Sequence, residues 1–223
     1  MLIVFDLDGT LIDTAPDLVD TLNVILTREG LEPVPFAEAR TMIGGGARRL
    51  LERGLKRDGV ATAPDRLERL YKDFLTHYAD HMADRSRPFP GLEATLDELA
   101  ARGDRFAVCT NKLEWLSVSL LKTLNLAHRF AAICGQDTFG MQKPDPDILR
   151  RTIAQAGGSI GQAVVVGDST TDVATARAAG VPIIAVAFGY ADRPAGALGA
   201  DAVIASFDAL PQTIADLRGA ARG

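Results

Sequence analysis

The sequence predicts an α/β fold, a doubly wound parallel sheet with a block of helices inserted after the first strand. Three observations carry this expectation. Short apolar runs alternate with longer amphipathic stretches over most of the chain. The short runs are apolar on both faces, as strands covered by helices on both sides must be. One interval, 14–85, breaks the alternation and shows helical spacing only.

Taken in order, the first strand is read at 2–7, Leu-Ile-Val-Phe-Asp-Leu. Further strand candidates lie at 106–109, 131–134, 163–166, 183–186 and 202–204. Helical patterns fall between and after them, at 92–102, 113–124, 146–156, 171–179 and 209–218. Inside the insert, Leu18, Leu22, Ile25 and Leu26 recur at helical spacing, as do Leu50, Leu51 and Leu55. So do Leu67, Leu70, Phe74, Leu75 and Tyr78. The exits of the insert are a 13–16 turn and an 85–91 segment that holds Pro88, Pro90 and Gly91; these are candidate hinges. The expected division is therefore 1–13 with 86–223 as an α/β core, and 14–85 as a helical unit. Residues 219–223 are expected to fray.

Composition excludes several classes of function. The 223 residues carry 24 Lys and Arg against 29 Asp and Glu, a formal charge of −5, so no basic face for nucleic acid is expected. Hydrophobic residues make up 47%, ample for a core. No apolar run approaches the roughly 20 residues of a membrane helix, and Met1-Leu2-Ile3-Val4-Phe5-Asp6 has no basic stretch of the kind that opens a signal peptide. Cys109 and Cys134 sit in apolar segments and read as reduced core residues of a cytoplasmic protein. His77 and His81 stand four residues apart but lack a third ligand for a metal.

The candidate chemistry lies at strand ends. Asp6-Leu7-Asp8-Gly9-Thr10 closes the first strand with two carboxylates one residue apart. Alternation along the strand lets both face one space. Close carboxylates repel unless a cation or a proton separates them, and a hard cation such as Mg²⁺ prefers oxygen ligands. Asp and Gly are also ordinary turn formers, so the pentapeptide alone leaves a polar turn open. A second buried strand ends in Gly167-Asp168-Ser169-Thr170-Thr171-Asp172. Its alternative reading is a helix cap by Asp168 or Ser169. Two acidic tips in one parallel sheet converge on one edge, which favours a site. Thr110-Asn111, after the strand at 106–109, can hydrogen-bond phosphoryl oxygens or cap a helix. Lys143-Pro144 supplies an ammonium that either sits among the carboxylates and holds a phosphate or is solvated.

In their order and spacing these motifs resemble the haloacid dehalogenase-like phosphohydrolase superfamily, over essentially the whole chain. The motifs are Asp6-x-Asp8-Gly9-Thr10, Thr110-Asn111, Lys143-Pro144 and Gly167-Asp168-Ser169-x-x-Asp172. The insert sits where that superfamily carries a mobile helical cap on its Rossmann-like core. Ile43-Gly44-Gly45-Gly46-Ala47, Leu50-Leu51-Glu52-Arg53, Thr110-Asn111-Lys112, Ala178-Ala179-Gly180 and Phe188-Gly189-Tyr190 are most similar to the phosphoglycolate phosphatases within it.

The resemblance implies a Mg²⁺-dependent phosphatase acting on a small phosphorylated metabolite, with no nucleic-acid or membrane partner, as a monomer or homodimer. It implies Asp6 as nucleophile, forming an aspartyl-phosphate, and Asp8 as the acid and then the base. Mg²⁺ would be held by the Asp6 and Asp168 side chains and the Asp8 carbonyl. Thr110, Asn111 and Lys143 would hold the transferring oxygens, with Gly9 and Thr10 beside them at the phosphate. Ser169 and Asp172 would act behind the metal site, Asp172 by orienting Lys143 or a metal-bound water. In the cap, Gly44, Gly45 and Gly46 precede a helix and expose N–H groups suited to a carboxylate. Arg48 or Arg49 is a candidate fork for the same group, although a plain interhelix loop with solvated arginines is the alternative. Trp115, Tyr71 and Tyr78 read as packing residues.

Rival functions separate on particular residues. Dehalogenases of this fold do not need the second aspartate, so Asp8 favours phosphate chemistry. Phosphonate-cleaving relatives use a cap lysine, and the cap offers only Lys56 and Lys72, in no special context. A sugar-phosphate phosphatase or a β-phosphoglucomutase shares the core motifs; the glycine segment favours a small carboxylate-bearing substrate. Phospho-receiver modules also use acidic strand ends, a Thr and a Lys, but they are shorter, have no insert after the first strand and do not carry their acceptor there.

Overall fold

A computed structural model describes residues 1–57, 59, 62–191 and 193–220. Of the stretch expected to fray, Gly219 and Ala220 continue the last helix, while 221–223 lie outside the described residues.

The chain opens with β1 (Leu2–Phe5) and a two-residue strand β2 (Ile12–Asp13). Four helices follow, α1 (Ala15–Arg28), α2 (Phe36–Thr41), α3 (Ala47–Arg57) and α4 (Pro64–His81). The chain then returns through β3 (Arg87–Pro88). From there strands and helices alternate: α5 (Leu92–Ala101), β4 (Arg105–Cys109), α6 (Glu114–Thr123), β5 (Phe130–Cys134) and α7 (Pro146–Gln155). The last part is β6 (Ala163–Gly167), α8 (Thr170–Ala179), β7 (Ile183–Val186), β8 (Ala202–Ile204) and α9 (Leu210–Ala220).

The main sheet has the order β5-β4-β1-β6-β7-β8, and every pair in it is parallel. The alternation of side chains in β1 explains why the sheet is covered on both faces. Ile3 and Phe5 belong to one apolar cluster, with α5, α6 and α9; Leu2 and Val4 belong to another, with α7 and α8. The first cluster continues without a break into α1, α3 and α4 through Leu18, Leu22, Leu51 and Phe74. Phe74 is fully buried and stacks on Tyr78 with centroids 6.1 Å apart. Phe74→Ala should cost about 3–5 kcal/mol by lost burial and cavity formation. Urea unfolding followed by circular dichroism measures this, and a loss below about 1 kcal/mol would contradict the packing of α4.

The fold matches the predicted class, with two features the sequence pattern does not announce. One is the short helix α2. The other is the ribbon formed by β2 and β3, antiparallel, with Ile12 opposite Pro88 and Asp13 opposite Arg87. The ribbon occupies both predicted hinge segments. Beside it, the buried Asp17 carboxylate accepts from the N–H groups of Arg85 and Ser86, at 3.0 and 2.8 Å, and from Ser86 Oγ at 2.6 Å. The two crossings between helical insert and sheet are thus tied to each other.

This order places the chemistry. β1 lies between β4 and β6, at the point where successive connections leave in opposite directions, and doubly wound sheets open a crevice there. The carboxyl ends of β1, β4 and β6 deliver Asp6, Thr110 and Asp168 to that crevice.

Candidate active site

Asp6 follows β1 directly, and its N–H donates to Val166 O at 2.9 Å, so it stays in register with β6. The chain then turns tightly: the N–H groups of Thr10, Leu11 and Ile12 all reach Leu7 O, at 3.3, 3.0 and 3.1 Å. Gly9 stands at φ +84°, where a side chain is strained, and a Cβ there would lie 2.5 Å from Asp168 Oδ2. Gly189 is equally constrained, since a Cβ would meet the Asp168 side chain at 2.3 Å. Two glycines therefore leave the space into which Asp168 fits.

Each carboxylate has its own partners. Asp168 Oδ1 accepts from Thr10 Oγ1 at 3.1 Å, and Oδ2 accepts from Tyr190 N at 2.6 Å. Asp172 Oδ2 accepts from Ser169 N and Oγ, completing a capping box at the start of α8. Asp172 Oδ1 accepts from Lys143 Nζ at 2.6 Å. Lys143 Nζ also lies 2.9 Å from Asp6 Oδ1, as an ion pair without a hydrogen bond aligned on that buried oxygen. Asp8 Oδ1 accepts from Thr14 Oγ1 at 2.8 Å and from Lys112 Nζ at 3.0 Å.

Negative charge dominates. Burial pushes the Asp6 carboxyl up to about 6, with the neighbouring Asp172 and Asp8 adding to the rise and Lys143 opposing it. Burial, then Asp172 and Asp6, push Asp168 up to about 8. Burial works to lower Lys143, but the carboxylates of Asp172 and Asp6 outweigh it and hold the ammonium charged. One oxygen each of Asp6, Asp168 and Asp172 lie within 4.8 Å of one another. Carboxylates gathered this closely, with no hydrogen bond aligned on the buried Asp6 Oδ1, suit a hard divalent cation. Asp172 is held by Lys143 and Ser169, and Asp168 by Thr10 and the Tyr190 N–H, so a cation would share these carboxylates with their present partners.

A cleft of about 790 Å³ opens above these groups, between the sheet edge and α3 and α4. Thr110, Asn111, Lys143 and Ser169 line it from below, and Gly44, Gly45, Gly46, Tyr71 and Tyr78 from above. The three glycines have φ of +113°, +83° and +90°. A Cβ on Gly46 would come 2.9 Å from Asn111 O, so the glycine loop touches the core backbone.

Four expected substrate contacts take other partners. Thr10 is fully buried and its hydroxyl is taken by Asp168, and Gly9 makes room for Asp168. The Asn111 amide is engaged with the Lys143 backbone, Nδ2 donating to O at 3.1 Å and Lys143 N to Oδ1 at 2.8 Å. It positions Lys143. Arg48 is paired with Glu68, lies over the Tyr71 ring at 4.3 Å and is not among the residues that line the cleft. Arg49 packs against Gly45 instead. Trp115, read as packing, is exposed.

Sequence reasoning missed four residues, Lys112, Tyr78, Tyr190 and Arg40. Lys112 joins Asp8 to Tyr78 Oη, at 3.0 and 2.9 Å. Tyr78 reads as an apolar helix position because its ring is buried, and nothing local shows that its hydroxyl reaches the site. Tyr190 joins Asp168 to the hinge: Oη donates to Asp13 Oδ1 at 2.5 Å and accepts from Ala15 N at 2.8 Å. Arg40 of α2 lies over the Tyr190 ring and donates to Gly189 O at 2.8 Å. The adjacency of Lys112 to Thr110-Asn111, and of Tyr190 to a strand end, were the available signals.

Acidic tips at the switch point of a doubly wound sheet, roofed by a helical insert, make this the site of a hydrolase. The chain belongs to the haloacid dehalogenase-like hydrolase family, whose sequence signature matches residues 3–186. It is 46% identical to a phosphoglycolate phosphatase of Mesorhizobium japonicum, over 96% of this chain and 95% of that one. It is also 46% identical to a phosphoglycolate phosphatase of Caulobacter vibrioides, over 94% of this chain and 89% of the other. Among solved structures it is similar to a predicted phosphoglycolate phosphatase from Haemophilus somnus 129PT, with a TM-score of 0.88 and 27% identity, covering 96% of this chain and 97% of that one.

Proposed function

We propose that the chain hydrolyses 2-phosphoglycolate to glycolate and phosphate through an aspartyl-phosphate on Asp6. The observation that carries this reading is the pair Asp6 and Asp8 at one strand tip, beneath a cleft roofed by a glycine loop, in a chain 46% identical to phosphoglycolate phosphatases over nearly its full length. Asp6 attacks phosphorus in line with the leaving oxygen. Asp8 gives its proton to the glycolate oxygen, then takes one from the water that cleaves the aspartyl-phosphate. Lys143, held between Asp6 and Asp172, faces the charge that spreads over the transferring oxygens, and Thr110 donates a hydrogen bond to them. The Asp6 and Asp168 carboxylates and the Asp8 carbonyl would hold Mg²⁺, which would supply positive charge for a dianionic phosphate to approach an anionic nucleophile.

Residues 14–85 act as a cap that closes over the substrate on the β2–β3 ribbon. Asp17 and Tyr190 tie the hinge strands on both sides. The Gly44–Gly46 N–H groups then meet the substrate carboxylate. Because a Cβ on Gly46 would strike Asn111 O, Gly46→Val should prop the cap open. The expected loss in kcat/KM for 2-phosphoglycolate is roughly ten- to a hundredfold, with little change for p-nitrophenyl phosphate. Equal losses on both substrates would assign the loop to closure alone.

The experiment that tests the function is a phosphatase screen with Mg²⁺ across 2-phosphoglycolate, sugar phosphates and pyrophosphate. The highest kcat/KM is expected for 2-phosphoglycolate. A sugar phosphate in first place would overturn the substrate assignment and leave the chemistry standing.

A further inference from the structure

Lys112 has no part in the steps above, yet it stands inside the cleft at the junction of core and cap. Its side chain is 5% exposed. Nζ donates to Asp8, forked over Oδ1 at 3.0 Å and Oδ2 at 3.3 Å, and to Tyr78 Oη at 2.9 Å. It also lies 4.4 Å from the centroid of the Tyr78 ring. An ammonium carries three donors. Asp8 Oδ1, Asp8 Oδ2 and Tyr78 Oη account for the contacts of Nζ, and the longer arm of the Asp8 fork, at 3.3 Å, is the one a ligand oxygen would take over.

Of the other cations near the cleft, Arg49 is exposed beside Gly45 and is not among the lining residues, and two are paired. Lys143 is clamped between Asp6 and Asp172, and Arg48 is paired with Glu68. A carboxylate beside Asp8 would face a like charge, and Lys112 is the cation in contact with Asp8.

We propose that Lys112 binds the carboxylate of the substrate and thereby sets the preference for an anionic leaving group. The inference rests on the 2-phosphoglycolate reading. Its geometry is direct. Asp8 marks the position of the leaving oxygen, and in 2-phosphoglycolate one methylene separates that oxygen from the carboxylate. An ammonium one hydrogen bond from Asp8 stands where the carboxylate must fall. Gly46, whose backbone approaches Asn111 O next door, closes the same corner from the cap.

The test compares 2-phosphoglycolate with ethyl phosphate, in which a methyl group replaces the carboxylate. Lys112→Gln keeps a donor for Asp8 and Tyr78 but removes the charge. The expected result is a fall in kcat/KM for 2-phosphoglycolate that exceeds the fall for ethyl phosphate roughly ten- to a hundredfold, mostly in KM, any loss common to both substrates reporting the contact of Lys112 with Asp8. Equal losses on both substrates, or a preference that survives in Lys112→Gln, would overturn the proposal and leave Lys112 as a positioning residue for Asp8. Should the Gln variant fail to fold, Lys112→Arg decides. It keeps the charge and is expected to keep the preference, and collapse of that preference sinks the idea. A wild-type enzyme with no preference for 2-phosphoglycolate over ethyl phosphate removes the substrate reading, and the proposal with it. A wild-type preference that persists in Lys112→Gln removes the proposal alone.

Discussion

Asp6→Asn should abolish turnover and leave the fold intact. The amide is nearly isosteric, and its oxygen can still accept from Lys143 Nζ, but it is no nucleophile. If the reaction passes through an aspartyl-phosphate, the loss in kcat is about ten-thousandfold or more. Stability should hold or rise, because Asp6 is a buried carboxylate whose charge is disfavoured by burial and by Asp172 and Asp8. The check combines single-turnover kinetics with thermal unfolding monitored by circular dichroism. A variant that keeps a tenth of the wild-type kcat removes Asp6 from the nucleophile's role. A variant that is inactive because it is unfolded shows itself in the melting curve.

Removing divalent cations should have a comparable effect on activity and a separate, pH-dependent effect on stability. Activity is expected to vanish in EDTA and to return with Mg²⁺ but not with Ca²⁺. The larger ion takes more oxygens and accepts bidentate carboxylates, so it can occupy both Asp6 oxygens and block attack. The stability effect follows from the raised carboxyls. Asp6 at about 6 and Asp168 at about 8 hold their protons more tightly in the folded chain than in the unfolded one, where the usual value is 3.8. Their contribution to stability is complete below about pH 4 and is lost as pH rises through the folded values, between about pH 4 and 8. The metal-free protein should therefore melt at a lower temperature at pH 8 than at pH 5. At pH 8, Mg²⁺ at a hundred times its Kd should restore about 2.7 kcal/mol, and at pH 5 much less, since protons then compete for the same oxygens. Full activity in EDTA, or a melting temperature indifferent to Mg²⁺ at pH 8, would overturn the cation site.

Much of the site was legible because its residues stand at strand ends. Asp6, Thr110 and Asp168 each follow an apolar run, and parallel strands carry such residues to a common edge. The site residues that could be misjudged were polar side chains whose partners come from elsewhere in the chain. Asn111 and Thr10 have the right groups for a phosphate, but their hydrogen bonds go to Lys143, 32 residues away, and Asp168, 158 residues away. Tyr78 was hidden for the opposite reason. A tyrosine buried by its ring looks apolar in a helical pattern, although its hydroxyl meets Lys112.

The sequence by itself determined the class of fold, the place of the helical insert and the two acidic strand tips. These depend on period and order: apolar runs of strand length, helical spacing, and carboxylates at the same point of each run. Only the tertiary structure decided which polar groups remain available. Hydrogen-bond partners are assigned by contacts far apart in the chain, and each donor satisfied by Asp168, Lys143 or Glu68 is withdrawn from a ligand. For that reason Arg48, plausible in the sequence, is tied to Glu68 and Tyr71, while Lys112, given no role there, stands in the cleft between Asp8 and Tyr78.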